Sequence, residues 1–197
     1  MEGNAEVPDR GWFALVYYVP DPLRSVVHQI RQLIPSGQLP PAHVTVLPPR
    51  PLKAPASAIC REIERRLAHT TAFEVTLTDI GYFTETDFIY IEIAEGAAKL
   101  REIHNTLNNG ELLNYEPFEF HPHVTVAGPI PQELVQQTRD AASAAWQEVS
   151  CPCSLVVDEI VCLWRAKQHE PDGWRKIGAF SLPATHSQAA AGTTGRT

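Results

Sequence analysis

One tetrapeptide, His-Val-Thr-Val, occurs twice in this chain, at His43–Val46 and at His123–Val126, eighty positions apart. Three of its four residues are β-branched, which favours a strand. Side chains alternate faces along a strand, so His43 and Thr45 point one way while Val44 and Val46 point the other. The same holds for His123/Thr125 and Val124/Val126. The valines belong to a core, and the polar pairs face whatever lies opposite. A shift of eighty also carries Thr78-Asp79-Ile80 onto Asp158-Glu159-Ile160. Self-similarity at a fixed offset marks an internal duplication. It predicts two similar lobes about a pseudo-two-fold axis, each giving one HVTV strand to a shared cleft.

The flanking patterns fill in the lobes. Strands are expected at Phe13–Val19, at the first HVTV as far as Pro48-Pro49, at Phe73–Phe83, at Phe88–Ile93, at the second HVTV, at Ser154–Arg165 and at Trp174–Leu182. Helical spacing joins Leu23, Val26, Val27, Ile30, Leu33 and Ile34, with Asp21 as cap and Pro22 in the first turn. It also joins Ile59, Ile63 and Leu67, then Leu100, Ile103 and Leu107, and, after Pro131, Leu134, Val135, Thr138, Ala142 and Trp146. The fold class expected is α+β and bilobed: two pseudo-symmetric lobes, each an antiparallel sheet flanked by helices, around a central cleft. One domain is expected over 1–182, with the repeat at about 43–93 and 123–182. The stretch 167–173 reads as a turn, and the low-complexity tail 183–197 as disordered.

Composition narrows the partners. The 197 residues are 44% hydrophobic and 20% charged, with 16 basic against 23 acidic side chains and a net charge of −7. That balance argues against broad electrostatic capture of nucleic acid, but not against a small phosphate held locally. No apolar run reaches ~18 residues, so no membrane span is expected. The polar N-terminus has no signal-peptide core, and a cytoplasmic monomer is the expectation. Cys60, Cys151, Cys153 and Cys162 lack the spacing of a zinc site and read as small apolar residues in or beside strands. No metal and no cofactor is expected.

Two imidazoles and two hydroxyls around one cleft suit in-line displacement at phosphorus. One histidine removes a proton from the entering oxygen and the other protonates the leaving oxygen. The threonine hydroxyls donate to non-bridging phosphate oxygens.

On these residues the sequence resembles the two-histidine (2H) phosphoesterase superfamily, which includes the RNA 2′,3′-cyclic phosphodiesterases also called 2′-5′ RNA ligases. Its signature is two H-x-[ST]-x motifs, x hydrophobic, about 80 residues apart in a bilobed α+β fold. Both motifs match here, and the order of elements matches from about Phe13 to Leu182. The resemblance implies His43 and His123 as the acid–base pair and Thr45 and Thr125 as phosphate holders. It implies opening of 2′,3′-cyclic phosphates at nucleotides or RNA ends, typically to a 2′-phosphate, and in some relatives reverse 2′-5′ joining without ATP. Relatives acting on RNA often carry a basic residue soon after the second motif, where this chain has Ala127-Gly128-Pro129. A small cyclic nucleotide or short RNA end is therefore expected rather than a structured RNA.

Further candidates are weighed against ordinary structural roles. Arg50, fixed after two prolines, is a candidate for phosphate contact or a surface arginine. His121, two before His123, orients that ring, touches substrate, or is an exposed strand-entry residue. Tyr82 with Phe83, and Trp164 with Arg165, end long strands and are candidates for stacking on a base or for lobe–lobe packing. Phe118 and Phe120 are assigned to the core, and Asp79 and Glu159 to the surface. Two other functions remain open: a non-catalytic nucleotide or RNA-end binding protein on the same scaffold, and a metal hydrolase using His121, His123 and a cysteine or carboxylate.

Overall fold

The computed structural model describes residues 10–167 and 173–184. These form β1 (Trp12–Tyr18), α1 (Leu23–Leu33), β2 (His43–Pro51), α2 (Ala56–Leu67), β3 (Phe73–Phe83), β4 (Phe88–Ile93), α3 (Ala97–Leu107), β5 (His123–Ala127), α4 (Gln132–Gln147), β6 (Ser154–Val157), β7 (Glu159–Arg165) and β8 (Arg175–Ser181). The strands make one antiparallel sheet in the order β6-β3-β4-β5-β2-β1-β7-β8. The expected α+β bilobed fold is found. Outward from the middle, each half runs from an HVTV strand to β4 or β1, then to β3 or β7.

The two halves meet at β5 and β2, where a single residue pair, Val44 and Val124, is in ladder register. That seam is closed from behind by helices that cross it. α1 follows β1 in one half but packs on β5 and α4 of the other, while α3 follows β4 and packs on β2 and α2. Their buried stripes are Leu23, Val27 and Ile30 on α1 and Leu100, Ile103 and Leu107 on α3. Val44, Val46, Val124 and Val126 face these helices and are fully buried. Their alternates His43, Thr45, His123 and Thr125 are half-buried on the opposite, helix-free face.

Three details depart from the sequence expectation. First, β2 does not stop at Pro48-Pro49 but continues to Pro51, paired with β1 through Arg50 and Pro51. Beyond Val44 its other edge has no ladder partner among the described residues, so prolines there forfeit little. Second, Ser154–Arg165 is two strands. The chain changes halves at Asp158, with β6 joining β3 and β7 joining β1. Third, Pro22 rather than Asp21 occupies the cap of α1, and the Asp21 carboxylate instead accepts from Ser25 Oγ at 2.6 Å and pairs with Arg24. Cys60, on α2, packs beside strands as expected, its Sγ against Gly178 of β8 and Cys162 of β7. Most of the expected turn at 167–173, and the tail from 185 onward, lie outside the described residues, whereas Pro183 accepts a hydrogen bond from the Ala72 amide at 2.9 Å. Among the described residues no helix is long and apolar enough to cross a membrane.

Removing two methyls from a fully buried seam valine forfeits about 0.8 kcal/mol each in transfer and leaves a small cavity. Val124→Ala is expected to lower unfolding stability by about 2 kcal/mol, read from a urea titration.

Candidate active site

The pairing of Val44 with Val124 fixes its neighbours. In an antiparallel register His43 stands across from Thr125 and Thr45 across from His123, all on one face. The two histidines are diagonal partners, a relation that spans about 7–8 Å in a regular ladder. They sense each other electrostatically: a charge on His43 lowers the pKa of His123.

Both rings are held in the same way. His43 Nδ1–H donates to the Pro41 carbonyl at 2.8 Å, and His123 Nδ1–H donates to the His121 carbonyl at 2.7 Å. Each carbonyl lies two residues before its ring, so the backbone fixes both tautomers and leaves each Nε2 with its lone pair. Burial pushes both pKa values below the ordinary histidine value. The Nδ1 hydrogen bonds work against this, and Arg31 adds to it at His43. At His123 the charge of His121 also lowers the value while Glu92 raises it.

A cavity of about 590 Å³ opens on this face, and Thr45, Thr125, His121 and His123 line it. His43 does not line it directly and sits beside it at the seam. One wall is the turn between β3 and β4, with Phe83, Glu85 and Phe88. The other is a strap, residues 108–122 between α3 and β5, which contributes Glu116, Phe118 and Phe120.

Arg50 explains how the strap is held. It does not project toward ligand: it is 2% exposed and pairs with Glu116 at 2.6 Å. The same guanidinium donates to Asn108 Oδ1 at 2.8 Å and to the Leu112 carbonyl at 2.9 Å. Glu116 also lies 3.4 Å from His104 Nε2, and the His104 ring stacks on Phe120 at 3.9 Å. Truncating one partner of a buried pair leaves the other charge uncompensated. Arg50→Ala is expected to cost about 3 kcal/mol in a urea titration and to speed amide exchange across 108–116.

The remaining candidates divide. His121 reaches the cavity, and its Nε2 pairs with Glu92 at 2.9 Å. Tyr82 points away from the cavity: its hydroxyl donates to Asp87 and accepts from Gln132 at 3.1 Å. Its neighbour Phe83 faces the cavity in its place. Trp164 is 3% exposed, on the helix-covered face with Ile160 and Cys162, and donates to the Arg10 carbonyl at 3.1 Å. The Arg165 guanidinium lies 4.3 Å over the Trp174 ring. Trp164 and Arg165 pair with Phe13 and Trp12 at the start of β1, far along the sheet from the histidines. Phe118, read from sequence as core, is instead 54% exposed and on the cavity wall.

Two residues escaped the sequence reading. Tyr90 and Glu92 stand across from Thr125 and His123 on β4. The Tyr90 ring stacks on Phe83 at 4.0 Å and meets His123 edge-on at 5.3 Å. Gly81 leaves room for it, since a Cβ there would come within 2.4 Å of the ring. The signal was present in the alternation of Phe88–Ile93, where Tyr90 and Glu92 interrupt the isoleucines. Among the described residues, no group of three or more His, Cys, Asp or Glu side chains converges as metal ligands would.

The family model of the 2′-5′ RNA ligase superfamily matches residues 19–169. The chain belongs to the 2′-5′ RNA ligase superfamily. Solved structures of this architecture agree in fold. E. coli LigT complexed with 3′-AMP superposes with a TM-score of 0.65 at 14% identity, over 88% of this chain and 98% of that one. TT0787 of Thermus thermophilus gives 0.57 at 18% identity, over 89% and 100%. Kluyveromyces marxianus Usb1 gives 0.53 at 11%, over 89% and 98%. No curated protein sequence matches the chain. Membership makes this a phosphoesterase- or ligase-type enzyme.

Proposed function

We propose that the protein opens 2′,3′-cyclic phosphates of nucleotides or RNA ends by metal-independent, two-histidine acid–base catalysis. The observation that carries this reading is the matched pair of rings, each with Nδ1–H bound to a backbone carbonyl and each Nε2 left for chemistry. One neutral Nε2 takes a proton from water as the water oxygen attacks phosphorus. A bond from phosphorus to one ribose oxygen breaks, and the other ring, protonated at Nε2, gives its proton to that oxygen. Cleavage at the 3′-oxygen leaves a 2′-phosphate. The Thr45 and Thr125 hydroxyls donate to the non-bridging oxygens, where charge builds. With an RNA 5′-hydroxyl in place of water as the attacking group, the same steps open the cyclic phosphate at its 3′-oxygen and join ends through a 2′-5′ linkage. The solved LigT complexes with 3′-AMP, ATP and NADP+ support a nucleotide as the occupant of the cleft.

Wild-type protein in EDTA is expected to turn over 2′,3′-cyclic AMP and to leave 3′,5′-cyclic AMP intact. His43→Ala and His123→Ala are each expected to lose at least ~10²-fold in kcat/KM, the usual worth of acid–base catalysis. Full activity in either variant would sink the mechanism, and saturable binding without turnover would make the protein a binding module.

The productive state needs one ring neutral and one protonated. Both pKa values lie below the ordinary ~6.5. The kcat/KM profile, which reports the free enzyme, is therefore expected to be bell-shaped with its centre on the acid side of pH ~6.5. A centre above pH ~7 would contradict it.

A further inference from the structure

The cavity over the two motifs has the wrong charge for a nucleic-acid groove. Its wall combines phenylalanines (Phe83, Phe88, Phe118, Phe120) with three glutamates, and among the described residues neither Lys nor Arg lines it. The sequence outside the described residues carries five acids and one basic residue, Arg196, so the rest of the chain leans the same way. Glu116 is already matched by Arg50 and His104. Glu85, on the turn between β3 and β4, and Glu119, on the strap, are exposed and form no ion pair among the described residues. They stand on opposite walls, so anything entering between the walls passes two uncompensated carboxylates.

A cyclic mononucleotide brings one negative charge, which the histidines and threonines meet. Its base finds aromatic surface to stack on, and stacking needs no cation. A longer RNA end brings a further phosphate with every added nucleotide. The wall offers these phosphates no Lys or Arg with which to release counterions, the usual source of nucleic-acid affinity. It offers like charge instead.

We propose that this cleft selects a mononucleotide bearing a single cyclic phosphate over a longer RNA end, with Glu85 and Glu119 as the residues that set the selection. This rests on the phosphodiesterase reading above.

The test compares cytidine 2′,3′-cyclic phosphate with a tetranucleotide ending in the same group. Wild-type kcat/KM is expected to favour the mononucleotide by roughly ten-fold or more, the lower end of electrostatic steering effects. The gap should narrow as salt rises from ~0.01 to ~0.15 M and the Debye length shrinks from ~30 to ~8 Å. The double variant Glu85→Gln/Glu119→Gln should bring the two substrates to within about two-fold and flatten the salt response. A tetranucleotide used as well as the mononucleotide, tetranucleotide turnover that falls with salt, or a ratio unmoved by the double variant would each overturn the proposal. Calorimetric binding of cytidine 2′-phosphate and of the tetranucleotide 2′-phosphate reads the selection without turnover. If neither cyclic phosphate is opened, the catalytic reading falls. The binding ratio then decides the selection alone: preference for the mononucleotide upholds it, and parity or the reverse overturns it.

Discussion

A single antiparallel residue pair, Val44 with Val124, governs the site. Side chains have a period of two along a strand, so a slip of one residue by either seam strand would send its own valines to solvent and its histidine into the core. Burial of Val44, Val46, Val124 and Val126 therefore enforces the same register that sets each histidine across from the other strand's threonine. One ladder pair is a thin joint for two four-stranded halves. The reinforcement comes from α1 and α3, each packing on the seam strand of the half it does not follow. The halves cannot part without uncovering both apolar stripes, so the spacing of the two imidazoles is tied to the hydrophobic core rather than to the ladder alone.

The halves share a plan but not an environment. Val16 and Tyr18 stand across β2 from Thr45 and His43, where Tyr90 and Glu92 stand across β5 from Thr125 and His123. Arg31, whose guanidinium donates to the Pro40 and Thr125 carbonyls, opposes protonation of His43. At His123 the opposing charges of His121 and His43 are set against Glu92. Two rings with one tautomer but different neighbours can hold one proton between them, which is the condition for acid–base division of labour.

Much of this was legible in the sequence, and the rest was hidden for definite reasons. β3 and β4 were read to the residue because period-two patterning is local to the chain, even though in β3 it shifts phase at a bulge between Leu77 and Ile80. The His-x-Thr pairs were legible for the same reason. Arg50 was not, because its role depends on Glu116, sixty-six residues on, closing over it. Trp164 looked like a rim aromatic because it ends a strand, but period-two alternation puts it with Ile160 and Cys162. Phe118 looked like core because it is apolar. Whether a loop phenylalanine is covered depends on what packs above it, and among the described residues Phe118 faces the cavity. The break at Asp158 follows from strand partners that no local pattern names.

The absence of charge after the second motif is written into the backbone. Gly128 has φ +141, and a Cβ there would lie 2.6 Å from the Phe88 ring. A side chain at this position is strained by its conformation and blocked by Phe88, which itself walls the cavity. A basic residue could be placed here only by moving Phe88 and giving up one of the aromatic surfaces facing the cleft. The glycine, the phenylalanine it makes room for and the unpaired carboxylates nearby thus form one consistent surface. It is apolar along the phenylalanines and negative at Glu85 and Glu119, and the polar side chains that the two motifs add to it are imidazole and hydroxyl.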